Sequence, residues 1–317
     1  MSLAVLDFEK PLYEKIDELD RLRAKDKPTS ADALRLRTLE GEIEQLRREI
    51  YGGLTPIQRI KIARHMARPR SLDYVQYLFS GWTEVHGDRG FADDQACLAG
   101  YARFDDVPCA VIGQQKGKDT KENLARNFGM MHPEGYRKAL RIMRNAVKFD
   151  MPIFVFIDTP GAYPGIGAEE RGQAEAIARN LLEMARMPVP ILCTVIGEGA
   201  SGGALGIGVG DRLLMLENSW YCVISPEGCA SILFRDASHA PRAAEALKLT
   251  GPDLVAQGIV DEVIPEPPGG AHRDFETTAK NIQEALRRHF AELQHKDGPT
   301  LVEERYQRYR RMGVFEE

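Results

Sequence analysis

A chain of 317 residues that is 43% apolar and 28% charged can bury a full core, and it holds one large domain or two modest ones. A formal net charge of −5 argues against general nucleic-acid binding, no apolar run approaches the ~20 residues of a membrane span, and Met1 to Lys10 lacks the basic-then-apolar build of a signal peptide. A cytoplasmic protein is expected, and its five cysteines (Cys97, Cys109, Cys193, Cys222 and Cys229), odd in number and without a C-x-x-C pair, read as reduced core thiols rather than a disulfide frame or a metal site.

The first part, to about Arg68, is helical. Leu12, Ile16 and Leu19 form one stripe; after a break at Lys27-Pro28-Thr29-Ser30, Leu36, Leu39, Ile43, Leu46 and Ile50 form a longer one. Apolar residues spaced three and four apart with charges elsewhere predict a helical hairpin, packed on its own seam or on another subunit. A basic linker, Lys61 to Arg70, leads out of it.

Leu98–Phe104 and Val107–Gly113 are strand-like and joined by Asp105-Asp106, a hairpin turn. Pro133-Glu134 opens a helix to about Lys148 with an apolar face at Tyr136, Leu140, Met143 and Val147. Arg137, Arg141, Arg144 and Lys148 stand one residue round. From Gln114 to Lys148 there are nine Lys/Arg against three Asp/Glu, so this region either meets an anionic ligand or acidic partner, or simply presents a solvated charged face.

Pro152 to Ile157 is a continuous apolar strand, followed by the loop Asp158-Thr159-Pro160-Gly161-Ala162-Tyr163-Pro164-Gly165-Ile166-Gly167. A helix is expected over about Ala168 to Arg186, its stripe at Ala174, Ile177, Ala178, Leu181 and Ala185. Ile191 to Ile196 is a second buried strand, running into Gly197-Glu198-Gly199-Ala200-Ser201-Gly202-Gly203-Ala204, read as a tight turn and the start of a helix. This is a strand-helix-strand unit of the parallel type, and an α/β fold places ligand chemistry at the carboxyl ends of such strands. A helix start there turns free N–H groups toward an anion or a developing oxyanion, although glycines also serve close helix packing.

Further on, Arg212–Leu216 and Trp220–Ile224 read as short strands around Glu217-Asn218. Ser225-Pro226 caps a helix. Helices follow at about Arg242–Lys248 and Thr277–Leu293, with a strand at Gly258–Ile264 between them.

Three motifs are weighed and two set aside. Asp158-Thr159-Pro160-Gly161 resembles the D-x-x-G of a GTPase, and Gly113 to Lys118 nearly makes a P-loop; Ile112 stands where its first glycine belongs and Asp119 where its hydroxyl belongs, so no magnesium ligand is offered. Gly199-Ala200-Ser201-Gly202-Gly203 fits the G-x-S-x-G nucleophile elbow, which keeps a serine hydrolase or Clp-like protease using Ser201 as a rival, with His239, His272, His289 and His295 as the available bases. A non-catalytic scaffold is the other rival. The residues alone lead to an α/β protein with two backbone-built anion loops and acyl chemistry.

Several long segments in order resemble the carboxyltransferase α subunits of multi-subunit bacterial acetyl-CoA carboxylase. They are Arg126-Asn127-Phe128-Gly129-Met130, Pro133 to Leu140, Phe156 to Gly165, Ala168 to Gln173, Gly197 to Ala204 and Ser225 to Ala230. The resemblance implies a crotonase (ClpP-like) fold of repeated ββα units, divided as a hairpin and linker (1–68), a carboxyltransferase domain (69–297) and a C-terminal tail (298–317). It implies carboxyl transfer from carboxybiotin on a carrier protein to acetyl-CoA, giving malonyl-CoA for fatty-acid synthesis, with no side-chain nucleophile and no metal in this chain. The backbone N–H groups of Gly202, Gly203 and Ala204 become the oxyanion donors. Gly161, Ala162, Gly199 and Ser201 fall on the biotin side, and Arg137 and Arg141 are weaker candidates for an anionic ligand. The implied partners are a zinc-ribbon β subunit in an α2β2-type assembly, the biotin carboxyl carrier protein and biotin carboxylase.

Overall fold

The computed structural model describes residues 4–26 and 29–313. Helices α1 (Lys10–Arg23) and α2 (Ser30–Gly52) form the expected hairpin, with Leu12, Leu19, Leu39 and Ile43 buried in its seam and Ile16, Leu36, Leu46 and Ile50 packed around them. Lys27 and Pro28 of the expected break lie outside the described residues. Thr29 caps α2 by accepting the Asp32 N–H, and the Asp32 carboxylate bonds back to the Thr29 N–H, a reciprocal pair that starts the helix cleanly.

The stretch read as a basic linker is not one. It contains α3 (Pro56–Ala63), with Ile60, Ile62 and Ala63 buried, and then carries Arg68 and Arg70 into the interior. Arg68 is fully buried, forks onto Glu266 at 2.6 and 2.9 Å and donates to the Ile196 carbonyl at 2.8 Å. Its guanidinium ties the chain's early part to two segments much later in the sequence, at Ile196 and Glu266.

Then come α4 (Ser71–Leu78), β1 (Ser80–Glu84), β2 (Cys97–Phe104), β3 (Val107–Gln114), α5 (Thr120–Ala125), α6 (Pro133–Lys148), β4 (Ile153–Thr159), α7 (Ile166–Glu170), α8 (Gln173–Met184) and β5 (Ile191–Ala200). The remainder is α9 (Ser201–Leu205), β6 (Arg212–Leu216), β7 (Trp220–Cys222), α10 (Pro226–Phe234), α11 (Ala240–Leu247), α12 (Gly251–Ala256), β8 (Glu262–Ile264), α13 (Phe275–Leu293) and α14 (Gly298–Arg310). The strands make one sheet in the order β1-β2-β3-β4-β5-β6-β8, with β7 also on β5. The β1–β2 and β2–β3 pairs are antiparallel; from β3 onward every pairing is parallel. Asp105 and Asp106 both adopt left-handed φ, which a two-residue hairpin turn requires.

The central strands are buried on both faces, which is why they read as unbroken apolar runs. Ile153, Val155 and Ile157 of β4 join the core beneath α6 and α8, while Phe154 and Phe156 enter a second core with Tyr74 and Leu78 of α4 and Ile282, Leu286 and Phe290 of α13. Strand β5 divides the same way, with Ile191, Cys193 and Val195 on the first face and Leu192 and Ile196 on the second. It also serves two neighbours on the edge away from β4: β6 along Leu192–Val195 and β7 along Glu198–Ala200.

Several expectations need correction. Strand β5 continues through Gly197 to Ala200, so no turn precedes α9. The helix expected over Ala168–Arg186 is two, α7 and α8, parted at Gly172, where φ is +81°. The buried face of α8 is Gln173, Ala176, Asn180 and Met184, whereas Ala174 and Ala178 are exposed. Two of those positions are polar, and the side-chain N–H groups of each find carbonyls: Gln173 donates to Met131 and Tyr163, Asn180 to Tyr136 and Gly206. The strand expected from Gly258 begins only at Glu262. Residues 298–310 form helix α14, which buries Arg305 against Asp211 and the carbonyls of Met184, Met187 and Val189. The α6 helix, its apolar face and the Ser225 cap of α10 are as expected.

Candidate active site

Strands β4 and β5 end side by side, Thr159 opposite Gly199, so the two glycine-bearing segments leave the sheet together. After β4 the chain turns at once. The Thr159 hydroxyl donates to the Gly161 carbonyl at 2.7 Å and accepts the Gly161 N–H at 3.2 Å, fixing the loop before Ala162. After β5 the change from strand to helix occurs at a single residue, Ser201, held at φ +58°, and α9 starts there. That conformation is costly for serine, of order 1–3 kcal/mol, and the surrounding structure has to impose it.

The two segments touch through Gly203. A Cβ on Gly203 would strike the Gly161 carbonyl carbon and lie within 2.5 Å of the Ala162 nitrogen, so only glycine lets the backbones approach this closely. Gly202, one residue earlier, is different: a Cβ there would meet only Ile177 at 3.8 Å, an ordinary contact. The first-turn N–H groups of α9, those of Gly202 and Gly203, have no carbonyl a turn behind them inside the helix, and Ala204 follows, one turn on from the capping residue Ala200. The structure thus gathers Gly161, Ala162, Gly199, Ser201, Gly202, Gly203 and Ala204 into one place.

Beneath the strand ends lies a group of charges. Lys116, just past β3, is nearly fully buried and reaches Asp158 at the end of β4 (2.6 Å) and Glu198 in β5 (2.7 Å). Arg64 bonds to Glu198 at 2.6 Å and to Glu227 at 2.7 Å, and Arg70 lies 3.6 Å from Asp158. Burial alone would raise the Glu198 pKa, but Lys116 and Arg64 more than offset it and hold the group at about 2. Three cations thus face three anions, an arrangement suited to holding three strand ends in register rather than to donating or accepting protons.

This cluster was missed from sequence although signals existed. Glu198 is a carboxylate inside a buried glycine-rich strand, and Lys116 and Asp158 sit inside the two nucleotide-motif lookalikes that were set aside. A charge next to the end of an all-apolar strand was the clue.

The arginines of α6 are engaged elsewhere. Arg137 bonds to Asp88 and Glu134, both at 2.9 Å, and to the Arg171 carbonyl at 3.0 Å; Arg141 donates to the Gly87 and His86 carbonyls. Lys138, between them, is fully buried and bonds to Asp93 and the Cys97 carbonyl. A large part of the local basic excess therefore holds the segment 84–97 against α6.

The elbow geometry of Ser201 exists, but it has no base. His272 stacks on His65 with ring centroids 3.9 Å apart, His289 bonds to Glu262 at 2.9 Å, His239 packs against Phe234, and His295 is exposed. Among the described residues, no histidine bonds to the Ser201 hydroxyl. Nor does any group of three His, Cys, Asp or Glu residues there stand placed to hold a metal ion. No described helix is long and apolar enough to cross a membrane. The cysteines are free thiols, with burial pushing Cys193 up to about 12.

The family described as acetyl co-enzyme A carboxylase carboxyltransferase-like matches residues 5–313. The acetyl-coenzyme A carboxylase carboxyl transferase subunit alpha of Geobacillus sp. (strain WCH70) is 55% identical over 314 residues, spanning 99% of this chain and 97% of the relative. Among solved structures, transcarboxylase 12S, a hexamer with hydrolysed methylmalonyl-coenzyme A bound, aligns with a TM-score of 0.58 at 19% identity. That alignment covers 76% of this chain but only 45% of the transcarboxylase chain. A Pseudomonas malonate decarboxylase hetero-tetramer in complex with coenzyme A gives a TM-score of 0.57 at 17% identity, covering 69% of this chain and 87% of that one. These likenesses carry the fold: the sheet and its flanking helices are the crotonase arrangement of carboxyl-transferring enzymes.

Proposed function

The chain belongs to the acetyl-CoA carboxylase carboxyltransferase family, as an alpha-type subunit performing biotin-dependent carboxyl transfer, and from that premise we propose that the transfer takes place where its two glycine loops meet. Acetyl-CoA is the acceptor and malonyl-CoA the product. The observation that carries the proposal is the approach of Gly203 to Gly161 and Ala162, which brings the start of α9 against the 161–162 loop.

The fit is one of backbone to oxyanion. Carboxybiotin, borne on a carrier protein, supplies the carboxyl group. In its presence the Gly202, Gly203 and Ala204 N–H groups stabilise the negative charge on its ring oxygen, and Gly161, Ala162, Gly199 and Ser201 line the same side. Fixed N–H dipoles in a dry site need no reorganisation as charge develops, which makes such donors worth more there than in water. Ser201 contributes its turn and not its hydroxyl. Arg137 and Arg141 take second place, because an anionic ligand reaches them only by competing with Asp88, Glu134 and backbone carbonyls.

The acyl-CoA side belongs to a zinc-ribbon beta subunit in an α2β2-type assembly, the biotin comes on a carboxyl carrier protein, and biotin carboxylase recharges it, all in the cytoplasm. Residues 69–297 hold the chemistry, flanked by the hairpin and α3 (1–68) and the C-terminal segment (298–317). The test is malonyl-CoA formation from carboxybiotin and acetyl-CoA with this chain alone, with its beta partner, and with Ser201→Ala in that pair. Activity only in the pair, kept by the serine variant, is the expected result. Loss of activity on removing the Ser201 hydroxyl would overturn it.

A further inference from the structure

The carbonyl of Gly203 is held from two directions inside the core. Gln114, the last residue of β3 and fully buried, donates its side-chain N–H to it at 2.7 Å. Tyr136 on α6, also fully buried, donates its O–H to the same oxygen at 3.2 Å. The other end of the Gln114 amide accepts the Asp158 backbone N–H at 3.2 Å. The orientation of that amide is forced, since a backbone carbonyl only accepts and a backbone N–H only donates.

One side chain therefore joins three strand-ends: its own, the end of β4 from which the Gly161 loop leaves, and the helix that follows β5. The direction it imposes matters. In a planar trans peptide the C=O and the following N–H point opposite ways. Drawing the Gly203 carbonyl toward Gln114 and Tyr136 fixes the opposite direction for the Ala204 N–H, and the bond from the Gly206 N–H to the Gly202 carbonyl does the same for the Gly203 N–H. Two of the three donors assigned to the oxyanion are thus aimed by bonds made on the far side of their peptide planes.

We propose that Gln114 is a positioning residue for carboxyl transfer, fixing the direction of the Ala204 N–H and the spacing between the two glycine loops, with Tyr136 as its second hold. Gln114 touches no substrate; it acts through the Gly203 peptide. The inference rests on the reading of those N–H groups as the oxyanion donors.

Its test replaces Gln114 by Met, which keeps length and burial but offers no bond, in the full chain paired with its beta partner. Kcat for malonyl-CoA formation is expected to fall roughly tenfold to a hundredfold, the scale of an active-site misplacement of about 1 Å. KM for acetyl-CoA and for carboxybiotin is expected to hold. Tyr136→Phe, which removes one oxygen, is expected to give the same split with a smaller fall. In the full-length chain, the Ala204 amide nitrogen resonance is expected to move in both variants, because each removes a bond to the carbonyl of that peptide.

A purely structural role would lower the denaturation midpoint while leaving kcat and the Ala204 resonance in place, and would overturn the proposal. If Gln114→Met fails to pair with the beta subunit, Tyr136→Phe decides on the same two readouts. Unchanged kcat in Gln114→Met beside an inactive Gly203→Val would reject Gln114 alone, whereas full activity in Gly203→Val would reject the donor assignment beneath it.

Discussion

The N-terminal hairpin and the carboxyl ends of β3, β4 and β5 are both rich in ion pairs, and they use them in opposite ways. In the hairpin, Lys15–Glu42 and Arg35–Glu18 lie across a seam already closed by Leu12, Leu19, Leu39 and Ile43, with every charged side chain a third or more exposed. At the strand ends, Lys116, Asp158 and Glu198 are each under a tenth exposed. Water screens the first set, so its removal changes little; the second set has only itself for solvation. Charge decorates one region and sets the geometry of the other.

The sharpest break of that contrast is at the strand ends. Gly203→Val pushes a side chain into the Gly161–Ala162 backbone, and loss of transfer by roughly a hundredfold or more is expected in the paired assay, with the hairpin's helices intact by circular dichroism. Lys116→Met leaves the buried carboxylates of Asp158 and Glu198 without the cation between them, with only Arg64 beside Glu198 and Arg70 beside Asp158. Destabilisation by about 3–5 kcal/mol is expected in urea denaturation, the scale for a broken buried pair, and a shift within error would show that the cluster is solvated after all.

Acid should separate the two regions as well. Glu198 has its folded pKa lowered from 4.5 to about 2, so its contribution is fully present above 4.5 and is lost as pH falls through that window toward 2. Denaturation midpoints measured between those limits should drop for the wild-type chain and drop less in Glu198→Gln. Gly202→Ala, whose added methyl meets only Ile177, is expected to keep most of the transfer activity, a difference from Gly203 that turns on one residue's surroundings. The smallest effect belongs to the hairpin: Arg35→Ala, which loses an exposed pair with Glu18, is expected to leave both the denaturation midpoint and the transfer rate where they were.

The family was legible because its long motifs stand in order, and the loop after β4 was legible from the turn residues that follow its apolar strand, whereas Gly197 to Ala200, read as a turn, is the end of β5. The helix α6, the β2–β3 turn and the hairpin seam were equally readable, each being a matter of local periodicity or of a turn that only certain residues make. Helix α8 was misread for the opposite reason. Its buried face includes Gln173 and Asn180, and a polar side chain looks like a surface residue until the carbonyls that accept from it are brought near.

Sequence alone thus determined the elements whose causes lie within a few residues of one another. Tertiary structure decided the rest. Lys116 meets Glu198 across 82 residues of chain, Gln114 meets Gly203 across 89, and Arg68 meets Glu266 across 198. Burial of a charge or an amide is favourable only when its partner arrives from elsewhere in the fold, so a local pattern marks at most one side of each contact and the assembled sheet supplies the other.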